Sequence, residues 1–401
     1  MIKSRHRGPA VLTRFGSRCR DPANCCYRVV AMTPVLRFFR ASIASLFGGC
    51  AWVSACAQAL TSVPPLGTLI SDRGIVLNAA AHKIYAVDQA HGAVIVINSR
   101  TGAAKSIVTG TRPDAIAVSN ATNRIYVVNS GSGNVSVIDG AADQVIDTIK
   151  TDRRPYYIAV NEVTNRAYVS NTFSKVMTVL DLSTGAPTDW PIGSGDAIAV
   201  DSKYDQVYLL GYEDPNLRIM NGATGKVTRE PVGSIHAWAP ALDEGIRKLY
   251  VTRVGSADVL LVDLESRAHT VIKVGNYPCA IAVDPKTHMA YVTNYTDNTV
   301  TVIDGSSGTV RGTIPVGSHP QSVAVDPKRN RVYVGNMQDN NVSVIDASRM
   351  KVIQTLAAGN HPYAVITDPE TGAVYAGNMP DPENAEAPVY TAVIVANATE
   401  K

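Results

Sequence analysis

Apolar positions in this chain come in short runs, not at helical spacing. Around Tyr291, Cys279–Val283 (CAIAV) and Met289–Thr293 (MAYVT) are apolar, Thr299–Ile303 (TVTVI) alternates with period two, and a more polar stretch follows at Thr309–Val316. Short runs of this kind, bounded by turn-formers, read as strands. The turn-formers are Asp284-Pro285-Lys286-Thr287-His288, Asn294–Asn298 (NYTDN) and Asp304-Gly305-Ser306-Ser307-Gly308. Asp bonds the backbone ahead of it, Pro presets φ, and Gly supplies positive φ.

The unit repeats. Its central tyrosine returns as Tyr85, Tyr126, Tyr168, Tyr208, Tyr250, Tyr291, Tyr333 and Tyr375, at gaps of 41, 42, 40, 42, 41, 42 and 42 residues. Four short antiparallel strands at that period predict an all-β fold, a β-propeller of four-stranded blades. Neighbouring blades would cover both faces of the inner strands, and the outermost strand would tolerate polar residues, as in Val145–Lys150 (VIDTIK). The first three strands occur eight times, from 75–98 to 363–396, but only seven fourth strands follow them. Residues 66–71 (LGTLIS) could supply the missing outer strand. The expectation is an eight-bladed ring, closed by pairing of the N- and C-terminal strands, with residues 60–401 as one domain. Seven blades is the alternative, if a terminal unit is degenerate or packs outside.

Charge and cysteine separate the first residues from this body. Residues 1–59 hold nine Lys/Arg and one acidic residue, leaving 28 of 37 basic and 33 of 34 acidic residues beyond, a net of −5 instead of the whole-chain +3. A mildly acidic body argues against binding to nucleic-acid phosphates. Cys19, Cys25, Cys26, Cys50 and Cys56 lie in the same leader, so Cys279 alone remains and the body can form no internal disulfide. From Met32, Arg37 and Arg40 precede the apolar-to-small run Ala41–Ala55 and then Ala57-Gln58-Ala59, the order of a secretory signal at 32–59. Residues 1–31 read as an upstream leader or a misassigned start. Val53-Ser54-Ala55-Cys56 resembles a bacterial lipobox, which makes Cys56 the lipidation candidate. The expected location is periplasmic or secreted, free or lipid-anchored.

Tyr291-Val292-Thr293-Asn294, with Tyr126-Val127-Val128-Asn129, Tyr168-Val169-Ser170-Asn171 and Tyr333-Val334-Gly335-Asn336, resembles the motif of the YVTN-repeat β-propeller family, over roughly residues 70–396. The resemblance implies a secreted, periplasmic or surface-layer propeller, usually of seven blades, from which a count of eight departs. Propellers of similar look include lactonases, streptogramin lyases and quinoprotein-type subunits. Fold alone licenses no activity.

The motif tyrosines recur in every blade and read as packing between blades; the motif asparagines read as turn caps. Function is expected where repeats differ, in the loops before each first strand, near the channel mouth. Those places hold Arg73, Arg112, Arg154, Gly195, His236, Tyr277, His319 and His361 in blade order, with Asp114, Asp196, Tyr156, Trp238 and Tyr363 just beyond. The binding candidates are Arg73, Arg112, Arg154, His236, Trp238, Tyr277, His319 and His361. Arginine forks match carboxylate or phosphate oxygens. His236, His319 and His361 could offer three nitrogens to a metal, yet no Asp or Glu is fixed beside them by sequence, and no metal or cofactor is assigned. A catalytic base would have to come from His361, His319, Asp114 or Glu213. There is no C-x-x-C-H, P-loop or dinucleotide fingerprint.

The first reading is a monomeric, non-catalytic scaffold for an envelope protein partner or a small anionic ligand, touching membrane only through a lipid anchor. The alternative is a lactonase-like hydrolase or lyase, or a quinoprotein-like oxidoreductase, using the same face. A third is a structural envelope protein tiled by its outer surface. The departures at Gly211–Pro215 and Arg253, and the acidic, Pro-rich insertion Met379–Pro388, are places where function is also expected.

Overall fold

The repeat around Tyr291 forms four antiparallel strands, Pro278–Val283, Met289–Asn294, Thr299–Asp304 and Thr309–Pro315, paired in chain order. The computed structural model describes residues 74–379, apart from Phe173, Ser194, Asp196, Tyr212, Ser234 and Ile235, and the backbone of strands Thr61–Ser62 and Ala392–Val395. The chain divides between Cys56 and Ala57, and the description concerns the second unit. The leader, the signal, Cys56, Arg73, the 66–71 stretch and residues 380–388 of the insertion lie outside the described residues.

Seven sheets each consist of four consecutive strands. One further four-stranded sheet does not: its order is Thr61–Ser62, Ala392–Val395, Ala373–Asn378, Pro362–Thr367. The count of eight like units is therefore corrected to seven blades, each complete within one stretch of chain. The physical reason lies at the chain ends. In the last repeat a two-residue strand from the early part of the chain takes the outer place, Thr61 opposite Val393 and Ser62 opposite Ala392. That partner is Thr61–Ser62, not residues 66–71.

First strands of successive sheets lie against one another. Pro113–Ser119 contacts Pro155–Asn161, which contacts Ala197–Asp201, and so on to Pro320–Asp326. Pro362–Thr367 touches both Pro320–Asp326 and Ile75–Asn78. Ala364, Ala373 and Tyr375 of the last repeat share one apolar cluster with Ile84, Tyr85 and Ile97 of the first. All eight motif tyrosines are at most 1% exposed. Their packing role matches the sequence reading, and their hydroxyls differ in what they meet. Tyr85 donates to Asp143 of the next blade (3.0 Å) and Tyr375 to the Ser99 carbonyl of the first (3.3 Å). The Tyr250 hydroxyl is buried with no partner.

The turns from first to second strand lock adjacent blades. Buried polar residues at the ends of the first strands cap their own turns and reach across. Asn161 accepts from the Thr164 N–H (3.2 Å) and donates to Asp205 (3.0 Å). Asp201 receives Arg247 (2.7 Å), and Asp243 binds His288 Nδ1 (2.9 Å). This end of the blades has little freedom left for ligands.

Candidate functional site at the loop end

Antiparallel order puts two kinds of connection at the other end: the turn between second and third strands, and the loop from each outer strand to the next first strand. Each loop is tied to both blades it joins. For residues 317–319, the His319 N–H donates to Asn298 Oδ1 (2.9 Å) and the Val316 N–H to the Asn298 carbonyl (3.0 Å), on the blade being left. On the blade being entered, the Ser318 N–H donates to Asp339 (2.8 Å) and the Met337 N–H to the His319 carbonyl (2.9 Å). The next loop repeats this: His361 N–H to Asn340 Oδ1 (2.7 Å), Met379 N–H to the His361 carbonyl (3.0 Å).

The motif asparagine braces the loop from beneath. Asn294 donates to Thr299 (2.9 Å) and Thr301 (2.8 Å) and accepts from the Gly275 N–H (3.1 Å). Glycine is required there, because a Cβ on Gly275 would stand 2.6 Å from Asn294 Cγ. Gly317 meets Asn336 in the same way, at 2.7 Å. Turn-capping was thus too narrow a role for these asparagines: they join turn, third strand and loop.

Each described loop tip is a left-handed residue just before the first strand: Arg112 (φ 53°), Arg154 (51°), His236 (65°), Tyr277 (55°), His319 (54°) and His361 (50°). Ala237 pairs with Arg253 as Pro278 pairs with Asn294, which puts His236 in register although its blade lacks the proline. Gly195 stands one residue further on, where other blades have proline, because Ala197 pairs with Leu210 as Ala115 pairs with Val128. Asp196 lies outside the described residues.

Pairing then skips, between Pro113 and Ala115, Pro155 and Tyr157, Ala237 and Pro240, Pro278 and Ala280, Pro320 and Ser322, and Pro362 and Ala364. These β-bulges release Asp114, Tyr156, Trp238, Cys279, Gln321 and Tyr363 from strand alternation and re-aim them. The third motif residue supports the bulge. Thr293 accepts from the Ala280 N–H (3.0 Å), Thr252 from Ala239 (3.0 Å) and Ser170 from Tyr157 (3.2 Å). Cys279 is buried against Thr293 and the Pro320 carbonyl (3.3 Å), as its apolar strand implied.

Two groups of loop-end side chains come together. Asp114, buried, lies 3.8 Å from Arg112 Nε and accepts from Gln89. Burial pushes its carboxyl above the usual range, while Ser130, Arg112, Gln89 and Arg154 pull the other way. Arg112 and Arg154 are both exposed, and the positive charge of each favours the ionised form of this carboxylate. The second group is aromatic. The Tyr295 ring stacks on His319 at 4.4 Å and 6°, and Tyr277 packs against it at 5.5 Å. Sequence reasoning missed Tyr295, the residue after the motif asparagine; its aromatic character at a turn position was the available signal. Trp238 and His361 are half-buried, and Glu213 is exposed. Among the described residues no three His, Cys, Asp or Glu side chains gather as metal ligands, so His236, His319 and His361 are not brought together.

The departures from the motif turn out to be paired exchanges. Where Gly211 replaces the asparagine, Arg218 replaces the third-strand hydroxyl, and its guanidinium reaches Asp214 (3.3 Å) and the Ile192 carbonyl (3.0 Å). Where Arg253 replaces it, Asp258 answers at 2.6 Å and Lys273 joins at 3.0 Å. These substitutions rebuild the brace, which accounts for them without a ligand.

No protein-family model matches this sequence, and neither does any curated protein. Solved structures do. A chain of Kuenenia stuttgartiensis hydrazine synthase aligns at TM-score 0.56 and 17% identity, over 74% of this chain and 99% of that one. Apo AztD from Citrobacter koseri aligns at 0.57 and 18%, over 73% and 88%. The dihydro-heme d1 dehydrogenase NirN, in complex with DHE, aligns at 0.64 and 12%, over 79% and 74%. At these identities the likeness is one of fold: this chain is a β-propeller of four-stranded blades.

Proposed function

We propose that this chain is an exported, non-catalytic binding propeller whose loop end holds a small anionic ligand or the acidic part of an envelope partner. One observation carries the reading. A left-handed backbone costs a non-glycine residue about 1 kcal/mol, and at its other described left-handed positions the chain mostly uses residues that lower that cost, such as Asn123, Asn165, Asn330, Gly185 and Gly308, the exceptions being His82, Arg247, Ala257, Arg267, His288 and Met350. At the six described loop tips it uses Arg, Arg, His, Tyr, His and His instead. Strained backbone at a shared position, occupied by donor and aromatic side chains, is the mark of a site kept for its side chains. The loops are rigid before any ligand arrives, which lowers the ordering cost of binding. In this reading the seven blades close into a ring through the mixed sheet. Its contacts with the first and seventh repeats support that, as does the shared apolar cluster. The leader from Met32 supports export.

Replacing Arg112 and Arg154 by Asn, which tolerates the left-handed region, tests the reading. Thermal unfolding is expected to stay within a few tenths of a kcal/mol of wild type or to rise. Binding of small carboxylates, followed by calorimetry, is expected to fall at least tenfold. A large loss of stability with carboxylate binding intact would mean that these side chains serve the fold. Mass spectrometry of the mature protein checks export, a terminus at Leu60 or an acylated Cys56 being expected.

A further inference from the structure

Asp114 stands in a slot where the fold does not require a carboxylate. The slot is the bulge after the first residue of the first strand, and other repeats fill it with Tyr156, Trp238, Cys279, Gln321 or Tyr363, none of them charged at neutral pH. Asp114 is 6% exposed, whereas Arg112 and Arg154 are open to solvent. Its neighbours come from three repeats. Gln89 donates to it from the first, Arg112 Nε stands 3.8 Å away in the second, where Ser130 also acts on it, and the charge of Arg154 reaches it from the third. Arg112 and Arg154 are the charged groups that bear on it among the described residues. The carboxylate is thus held between opposed influences. Burial disfavours its charge, the arginines and the hydrogen-bond donors favour it, and burial is the larger effect.

An anion that settles on the arginines tips this balance. It brings a second negative charge close to the carboxylate and offsets the support of the arginines, and both effects favour the protonated acid. We propose that the loop end takes up its anion together with one proton, which passes from solvent to Asp114. This rests on the binding reading above and adds how that site is regulated. In the empty site Asp114 is a counter-ion to Arg112; with the anion in place, Asp114 is a neutral acid and the charge of the site is the same as before. Linkage is reciprocal, so protonating Asp114 strengthens anion binding by the factor by which the anion strengthens protonation. Binding is therefore tight below the titration of Asp114, weakens as pH rises through it, and is weak above it. Burial sets that window above the ordinary carboxylate range.

Trifluoroacetate is the probe, because it stays ionised throughout. Its affinity for the full mature protein is measured by calorimetry from about pH 4 to about pH 8, where carboxylates and histidines titrate. Amine buffers at constant chloride add no competing carboxylate. Affinity is expected to fall about fivefold or more across the window. A pH-stat should register proton uptake on mixing within the window, approaching one proton per anion bound, and none above it. Asp114→Asn, neutral and still able to accept from Gln89, should bind at every pH about as tightly as wild type does at the acid end, with no uptake. The wild-type measurements need no variant to fold. Level affinity with no proton uptake would overturn the inference, with arginine-dependent anion binding still standing. A pH dependence that survives Asp114→Asn would overturn it as well, by placing the proton elsewhere. Failure of wild type to bind any carboxylate at millimolar concentration at any pH would overturn both readings.

Discussion

A fully buried asparagine that donates to two threonine hydroxyls and accepts from a loop amide leaves all three groups unpaired when it is shortened. Asn294→Ala is expected to cost about 2–4 kcal/mol in urea unfolding, since each stranded buried group costs about 1–3 kcal/mol. Gly275→Ala forces a Cβ onto the same side chain, so it too destabilises. In the Asn294→Ala background the contact with Cγ is gone while Cβ of residue 294 and Asp297 Oδ2, each 2.7 Å away, remain, so the two losses should be less than additive by about half a kcal/mol. The motif tyrosines set a second residue-scale expectation. Burial first, and nearby carboxylates second, push the hydroxyls of Tyr168, Tyr208, Tyr291 and Tyr375 up to about 12. Folded values above the unfolded value of 10 mean that the folded state holds protons the unfolded state has released. Their stabilising effect is therefore intact below pH 10 and is lost as pH climbs toward 12. Each such tyrosine removes about 1.4 kcal/mol per pH unit in that window. Tyrosinate absorbance should appear together with loss of the β-sheet circular-dichroism signal, in one steep step. Gradual titration of a folded protein near pH 10 would contradict the burial.

A single blade shows how far the sequence can be read. Strand positions around Tyr291 were legible to within a residue or so, because alternation and turn chemistry agree there. The loop tips were legible as variable places beside a proline that recurs in five of the repeats. What could not be read was the side-chain direction after that proline. A bulge breaks alternation by one residue, and nothing in a strand's own sequence says that Asp114 or Tyr363 has been re-aimed. Paired exchanges were hidden for a related reason: Arg253 looks like a functional departure until the strand register sets Asp258 beside it. Arg253→Asn alone should cost about 3–5 kcal/mol by leaving Asp258 buried with a poorer partner. Adding Asp258→Thr and Leu260→Ser supplies the hydroxyls that Asn294 finds in its own blade, and should restore most of the loss in the same unfolding assay. Failure to recover would show that the two braces are not interchangeable between blades.

Across the whole molecule, one sheet differs from the rest because it draws on both ends of the chain. Removing residues 57–63 takes away its outer strand and exposes the edge of Ala392–Val395. A bare edge of apolar strand is a template for pairing with another chain. The truncated protein is expected to melt a few degrees lower and to elute partly as dimers and larger species in size-exclusion chromatography. An unchanged melting point and a purely monomeric profile would show that the short strand contributes nothing. The first-to-second-strand turns bear on the same scale. Their inter-blade bonds hold adjacent sheets at one end, and the opposite end is left to vary its side chains.

The ribosome delivers Thr61–Ser62 long before Ala392–Val395. Blades made between them can form as they emerge, yet the early strand must wait, unpaired, until its distant partner has been made. Under the export proposed above, that delay would let the sheet built from both segments form only on the far side of the membrane.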